Sequence, residues 1–302
     1  MRNGPTFASA NTPHPNPSPE GEGLVVRLTL LEATRHLSRV SATPRLDAEL
    51  LMAHALGCSR EAMLLTRLDE ACPDAFAALI ERRVSHEPLA YIIGTRDFWT
   101  FSLKVTPDVL IPRPDSETLI DAAVSHFGAI GPKRVLDLGT GSGALLLAAL
   151  AQWPEASGIG VDMSSAALAV AADNALALGL ADRATFQTGD WASGIGAKFD
   201  LILCNPPYVE TGAALATDVL KEPHAALFAG VDGLDDYQCL IPQLLALIAP
   251  GGLIAVEIGH SQREAVMSLF AQAGMATTCR TDLGGRDRAI LHFALGFGSQ
   301  PA

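Results

Sequence analysis

The segment Asp137-Leu138-Gly139-Thr140-Gly141-Ser142-Gly143 constrains this chain more than any other. A short apolar run, Val135 to Leu138, precedes it, and an Ala/Leu-rich helical stretch, Ala144 to Ala151, follows. Glycines at alternate positions let a backbone turn at positive φ and pass close to a ligand where a Cβ would clash. The N-terminus of the next helix offers free N–H groups at the same place. From residue 133 onward the pattern repeats, with strands at 158–162, 184–188, 199–204 and 252–258 and helices at 164–178, 235–248 and 261–273. Alternation at this spacing predicts a parallel sheet covered on both faces, a doubly wound α/β fold. Met275–Thr281 and Arg288–Ala294 flank a turn containing Gly284-Gly285, which predicts a closing antiparallel hairpin.

Asp162 follows Gly143 by nineteen residues, at the end of the next strand. A carboxylate there can accept hydrogen bonds from both hydroxyls of a ribose, so the two features predict a nucleoside-containing cofactor. The glycine spacing is G-x-G-x-G, which counts against a pyrophosphate, although this motif alone leaves a nicotinamide dinucleotide open. A second motif, Asn205-Pro206-Pro207-Tyr208, stands at the carboxyl end of the apolar strand Phe199–Cys204. It resembles the signature of S-adenosylmethionine-dependent methyltransferases that act on planar nitrogen. Such a nitrogen is a poor nucleophile because its lone pair is delocalised. The Asn205 side-chain oxygen and the Pro206 carbonyl can both accept from a target NH2 and favour the charge that develops on it. The prolines fix the backbone so that these acceptors converge, and Tyr208 can stack on the flat target group.

The chain has 302 residues, of which 49% are hydrophobic, enough for about two domains with a buried core. Residues 1–23 hold five prolines and three glycines and almost nothing apolar, and are expected to be a disordered tail. Residues 24–90 read as a small helical bundle, with apolar positions at Leu28 and Leu31 and at Leu46, Leu50 and Ala53. Pro44, Ser59 and Pro73 mark helix starts; Gly57 and Pro88 mark stops. The aromatic run Phe98–Phe101 and its neighbours suggest a hairpin, and Pro112-Arg113-Pro114 a stiff connector, so residues 91–114 form a hairpin and linker. The remaining block, 115–302, is the α/β domain. The five cysteines are scattered without metal-ligand or disulfide spacing, so free thiols in a cytoplasmic setting and no metal are expected. Net charge is −12, and residues 114–302 alone carry 9 basic against 20 acidic side chains. That balance opposes a nucleic-acid partner, which needs clustered Lys and Arg.

Residues 27–295 resemble the HemK/PrmC family, the peptide-chain release factor glutamine methyltransferases. The resemblance rests on Glu87-Pro88-Leu89-Ala90-Tyr91, Ile111-Pro112-Arg113-Pro114-Asp115-Ser116-Glu117, Gly189-Asp190-Trp191, Asn205–Tyr208, Glu222-Pro223, Gly233-Leu234, Glu257 and Gly284-Gly285-Arg286. It implies a class I methyltransferase, with a seven-stranded sheet containing one antiparallel strand, preceded by a helical domain. The implied reaction moves a methyl group from S-adenosylmethionine to N5 of the glutamine in the Gly-Gly-Gln motif of class I release factors. The implied cofactor contacts are Gly139, Thr140, Gly141, Ser142, Gly143, Asp162, Trp191 and Asn205. The implied substrate and catalytic contacts are Asn205, Pro206, Pro207 and Tyr208. The helical block is then expected to dock the protein substrate, with neither nucleic acid nor membrane involved. The Phe98–Phe101 aromatics either wall the site or merely pack the hairpin.

Three other readings compete. A ribosomal protein is an alternative glutamine-bearing target. An adenine N6-methyltransferase faces a similar NH2, but base flipping needs a target-recognition domain and a basic surface. A non-catalytic binding module is opposed by the intact glycines, Asp162 and Asn205.

Overall fold

The computed structural model describes residues 25–295. The expected disordered tail, 1–23, lies outside them. The chain divides into two compact units, one ending at Ile80 and the other beginning at Glu81.

The first unit contains α1 (Val26–Leu37), α2 (Pro44–Leu56), α3 (Arg60–Thr66) and the start of α4 (Ala75–Val84). Pro44 opens α2, Gly57 closes it at φ 64°, and the Ser59 hydroxyl caps α3 by accepting from the Ala62 N–H. The expected apolar face of α1 is wrong. Leu28 and Leu31 are 52% and 56% exposed, and the buried stripe is Val26, Leu30, Ala33 and Leu37. Leucines occur on both faces, but only the second set keeps a 4-3-4 spacing along the whole helix. Leu46 of α2 is likewise exposed, while Ala48, Leu51 and Met52 are buried.

The second unit begins with the last turn of α4 and with α5 (Leu89–Ile93). Pro88 therefore does not stop a helix as expected: α4 ends at Val84 and Pro88 caps the start of α5, where a missing N–H costs nothing. Next come the antiparallel strands β1 (Thr95–Phe98) and β2 (Phe101–Lys104), joined by a two-residue turn in which Trp99 has φ 56°. The expected hairpin is present. A 3-10 turn, Pro114–Ser116, leads into α6 (Glu117–Phe127), a helix the sequence reading did not anticipate.

The α/β elements then follow: β3 (Arg134–Leu138), α7 (Ala144–Gln152), β4 (Ser157–Asp162), α8 (Ser165–Ala177), β5 (Ala184–Thr188) and β6 (Phe199–Cys204). After them come α9 (Asp235–Leu244), β7 (Ile248–Glu257), α10 (Arg263–Gln272), β8 (Thr278–Thr281) and β9 (Asp287–Phe293). The sheet order is β5-β4-β3-β6-β7-β9-β8, and β9 alone points opposite to the other six strands. Alternate residues of β6 feed two cores. Leu201 and Leu203 join Ile120, Leu146 and Leu150 on the α6/α7 side. Ile202 and Cys204 join Tyr237, Ile241 and Phe270 on the α9/α10 side. The chain leaves β3 toward β4 and β5, then returns to place β6 on the other side of β3. That reversal opens a crevice outside the carboxyl ends of β3 and β6, where both motifs lie. Among the described residues no helix is long and apolar enough to cross a membrane.

Candidate active site

The glycine turn is built as its sequence demands. Gly139, Gly141 and Gly143 have φ of 71°, 54° and 83°. The Gly139 and Thr140 N–H groups both donate to the Val161 carbonyl at 2.9 Å, which pins the turn to the end of β4. Beneath it lies buried Asp137, whose Oδ2 accepts from the Thr140 hydroxyl at 2.6 Å and the Leu146 N–H at 3.2 Å. Burial pushes the Asp137 pKa up to about 7. Across the turn, Asp162 Oδ2 accepts from the Gly141 N–H at 2.8 Å and Oδ1 from the Ser164 N–H at 2.9 Å. Both oxygens keep a further lone pair for a ligand.

At the end of β6, Asn205 Nδ2 donates to the buried Ser116 hydroxyl at 3.1 Å. Tyr208 donates its phenolic O–H to Glu257 Oε1 at 3.3 Å. Glu257 ends β7 and is fully buried. Burial pushes its pKa up to about 7, against the opposing pull of the Ser116 hydroxyl and Arg288. Gln262 braces the loop: Nε2 donates to the Tyr208 carbonyl at 3.0 Å and the Gly233 carbonyl at 3.1 Å. Gly233 is needed there, because its φ is 71° and a Cβ would come within 2.4 Å of the Tyr208 carbonyl oxygen.

The connector Ile111–Glu117 is gripped at several points. Buried Glu222 accepts from the Ile111 N–H at 3.0 Å and pairs with Arg113. Asp115 pairs with Arg288 of β9 at 3.2 Å. Glu117 Oε1 accepts from the Trp99 N–H at 2.8 Å and so holds the hairpin turn where Trp99 has positive φ.

These elements enclose a cavity of about 320 Å³, a small-molecule scale. Of the expected residues, Gly139, Thr140, Gly141, Ser142, Asp162, Trp191, Asn205 and Pro207 line it. Gly143, Pro206 and Tyr208 do not stand in its wall. Gly143 caps α7, where a Cβ would press on Leu147 and Ala171 at 3.1 and 3.3 Å. Tyr208 turns its hydroxyl to Glu257 instead. Phe98 does both things proposed for the hairpin aromatics, lining the cavity and packing in the core; Trp99 and Phe101 pack against that core. Sequence reasoning gave no role to Ser116, Glu222, Glu257 or Gln262. The first three stand in segments quoted for the family resemblance, but nothing in local spacing showed what they touch.

The fold is shared with a protein of known structure. The catalytic domain of hMettl16, in its crystal structure with MAT2A 3'UTR hairpin 6, superposes with a TM-score of 0.53 at 15% identity, covering 75% of this chain and 84% of that one. Sheet order, glycine turn and the Asn-Pro-Pro-Tyr loop together define a class I methyltransferase with an N-terminal helical domain. Residues 29–94 match the family described as PrmC N-terminal domain, and residues 116–230 match the methyltransferase small domain. The release factor glutamine methyltransferase of Rhodospirillum rubrum is 45% identical over 255 residues, 82% of this chain and 78% of that one. Those of Caulobacter vibrioides and Moorella thermoacetica are 44% and 39% identical, covering 82% and 89% of this chain and 89% and 99% of theirs. The chain belongs to the release factor glutamine methyltransferase family.

Proposed function

We propose that this chain transfers a methyl group from S-adenosylmethionine to N5 of the glutamine side chain in the Gly-Gly-Gln motif of class I release factors, in the cytoplasm. The observation that carries this reading is the orientation of Asn205. Its Nδ2 is committed to Ser116, so Oδ1 is the end left to accept from a substrate amide in the cavity. A nitrogen whose hydrogens are held by Oδ1 and by the Pro206 carbonyl has its lone pair aimed and its developing charge favoured. Pro207 lines the cavity, and Tyr208 braces the loop from behind through Glu257.

When bound, S-adenosylmethionine supplies the electrophilic methyl group. The residues present fit it. An added Cβ at Gly141 would meet nothing within 4 Å, so the turn leaves room for a ligand against its backbone. Asp162 would hold the ribose hydroxyls, Trp191 would flank the adenine, and residues 139–142 would face the remainder. Residues 24–90 dock the protein substrate and take no part in the chemistry, residues 91–114 link, and residues 115–302 catalyse.

The test uses labelled S-adenosylmethionine and a purified release factor, with and without its Gly-Gly-Gln glutamine replaced. Label should enter only the intact factor. Label that persists after replacement would assign another acceptor.

A further inference from the structure

The cavity that would hold S-adenosylmethionine has a wall of one sign. Its charged residues are Asp108, Asp162 and Asp236, and among the described residues no Lys, Arg or His lines it. Two basic side chains adjoin wall residues in the chain, but Arg113 pairs with buried Glu222 and His224 stacks on the Phe228 ring. Two of the aspartates have partners. Asp162 accepts from the Gly141 and Ser164 N–H groups, and Asp108 accepts from the Thr106 hydroxyl at 3.0 Å. Asp236 is different. It stands in the first turn of α9, half-buried, and forms no hydrogen bond or ion pair with any described residue. Burial, and then the like charges of Asp235 and Asp190, push its pKa up. The first turn of a helix favours an acid, but exposed Asp235 already meets that preference. A carboxylate drawn into a wall without a partner is destabilised, and a cationic ligand relieves it.

Asp236 also stands at the end of the cavity where the chemistry falls. The next residue on α9, Tyr237, shares a buried cluster with Leu138, Ala192 and Cys204. Those three adjoin Gly139, Trp191 and Asn205, which converge. A Cβ on Gly139 would lie 3.4 Å from the Trp191 ring and 3.9 Å from the Asn205 carbonyl oxygen. A methyl group that reaches a nitrogen held at Asn205 brings its sulfonium to the same end. Transfer removes that charge. The methyl–sulfur bond breaks with its electron pair left on sulfur, the nitrogen lone pair forms the new carbon–nitrogen bond, and nitrogen releases a proton to solvent. The product, S-adenosylhomocysteine, is a thioether with one positive charge fewer than the cofactor.

We propose that Asp236 is a specificity-determining residue of this cavity: its unpartnered carboxylate favours the sulfonium cofactor over the thioether product, and so favours replacement of product by cofactor after each transfer. The proposal rests on the S-adenosylmethionine reading. The attraction acts through space and needs no direct contact. Within a Debye length of about 8–10 Å it survives screening by salt.

The experiment titrates the full chain in a calorimeter with S-adenosylmethionine and, separately, with S-adenosylhomocysteine, for wild type, Asp236→Asn and Asp236→Glu. The quantity read is the ratio of the two dissociation constants, thioether over sulfonium. Asp236→Asn keeps the shape and removes the charge, so the ratio should fall by about threefold or more, chiefly through weaker S-adenosylmethionine binding. Asp236→Glu keeps the charge and should hold the ratio within about twofold of wild type. In a methylation assay the Asp236→Asn enzyme should show stronger product inhibition, a lower Ki for S-adenosylhomocysteine relative to the KM for S-adenosylmethionine. An unchanged ratio in Asp236→Asn overturns the proposal, including the case where both nucleosides lose affinity equally and Asp236 makes a contact that cofactor and product share. A ratio that falls as far in Asp236→Glu as in Asp236→Asn overturns it too, because shape and not charge would then discriminate. Should Asp236→Asn fail to fold, Asp236→Ser, which also removes the charge, takes its place with the same expectation. Wild-type protein that binds neither nucleoside would defeat the S-adenosylmethionine reading instead.

Discussion

Asp162 and Asn205 line one cavity, but their loss should register in different measurements. Asp162 holds the glycine turn through the Gly141 N–H as well as offering its free lone pairs to a ribose. Asp162→Ala should weaken S-adenosylmethionine binding by about 1.5–3 kcal/mol, or roughly 10–150-fold, read by calorimetry. Unchanged affinity would mean the ribose lies elsewhere. Asn205 acts later, as charge develops on the target nitrogen, so Asn205→Ala should lower kcat by about 10²-fold or more while cofactor affinity stays within a few-fold. Asn205→Asp keeps an acceptor toward the cavity but replaces the Nδ2 donor that Ser116 now receives. It should also be impaired, since an oxygen there cannot make the donation that Nδ2 now makes to Ser116. An Asn205→Ala enzyme with wild-type turnover would sink the proposed mechanism.

Between residues and domains, the Ile111–Glu117 connector decides whether the site is assembled. Removing Glu222 would leave the Ile111 N–H without its acceptor and Arg113 without its partner. Glu222→Ala should cost about 2–4 kcal/mol, seen as a lowered Tm, and should lower turnover through a displaced Ser116. A variant with wild-type Tm and kcat would show the connector to be held by other contacts. Local chemistry made much of this architecture legible. Three alternate glycines demanded positive φ, Ser59 announced a cap, and the apolar run 199–204 could only be a strand buried on both faces. The errors have physical causes too. Leu28 and Leu31 share a three-residue spacing that either face of a helix can supply. Pro88 punctuates a helix start as well as it punctuates a stop. The Ser116–Asn205 contact joins residues 89 apart, a distance at which no periodicity speaks. Gly233 was visible as a residue, but its reason, the Tyr208 carbonyl against it, exists only after folding.

At the scale of the whole molecule, the proposed division of labour gives the helical region the protein substrate and the α/β unit the chemistry. A truncation tests it, and the structure says where to cut. The second compact unit begins at Glu81, ten residues before the hairpin and linker expected from residue 91. Ala90 and Tyr91 share a buried cluster with Val105, Val109 and Ile111, and the Tyr91 hydroxyl donates to the Val109 carbonyl at 2.6 Å. Arg83 reaches the Glu87 carbonyl and Asp218 at 3.2 Å each. A chain starting at Tyr91 would lose these Arg83 contacts and the Pro88 start of α5, confusing loss of docking with loss of stability. A chain starting at Glu81 keeps them. It should bind S-adenosylmethionine within a few-fold of the full chain and methylate a short Gly-Gly-Gln peptide at a similar rate. On intact release factor its kcat/KM should fall by about tenfold or more, the size of a lost docking contribution of about 1.4 kcal/mol. An unchanged rate on the intact factor would remove the docking role. An equal loss on peptide and intact factor would instead place the helical region's contribution in the α/β unit's own stability.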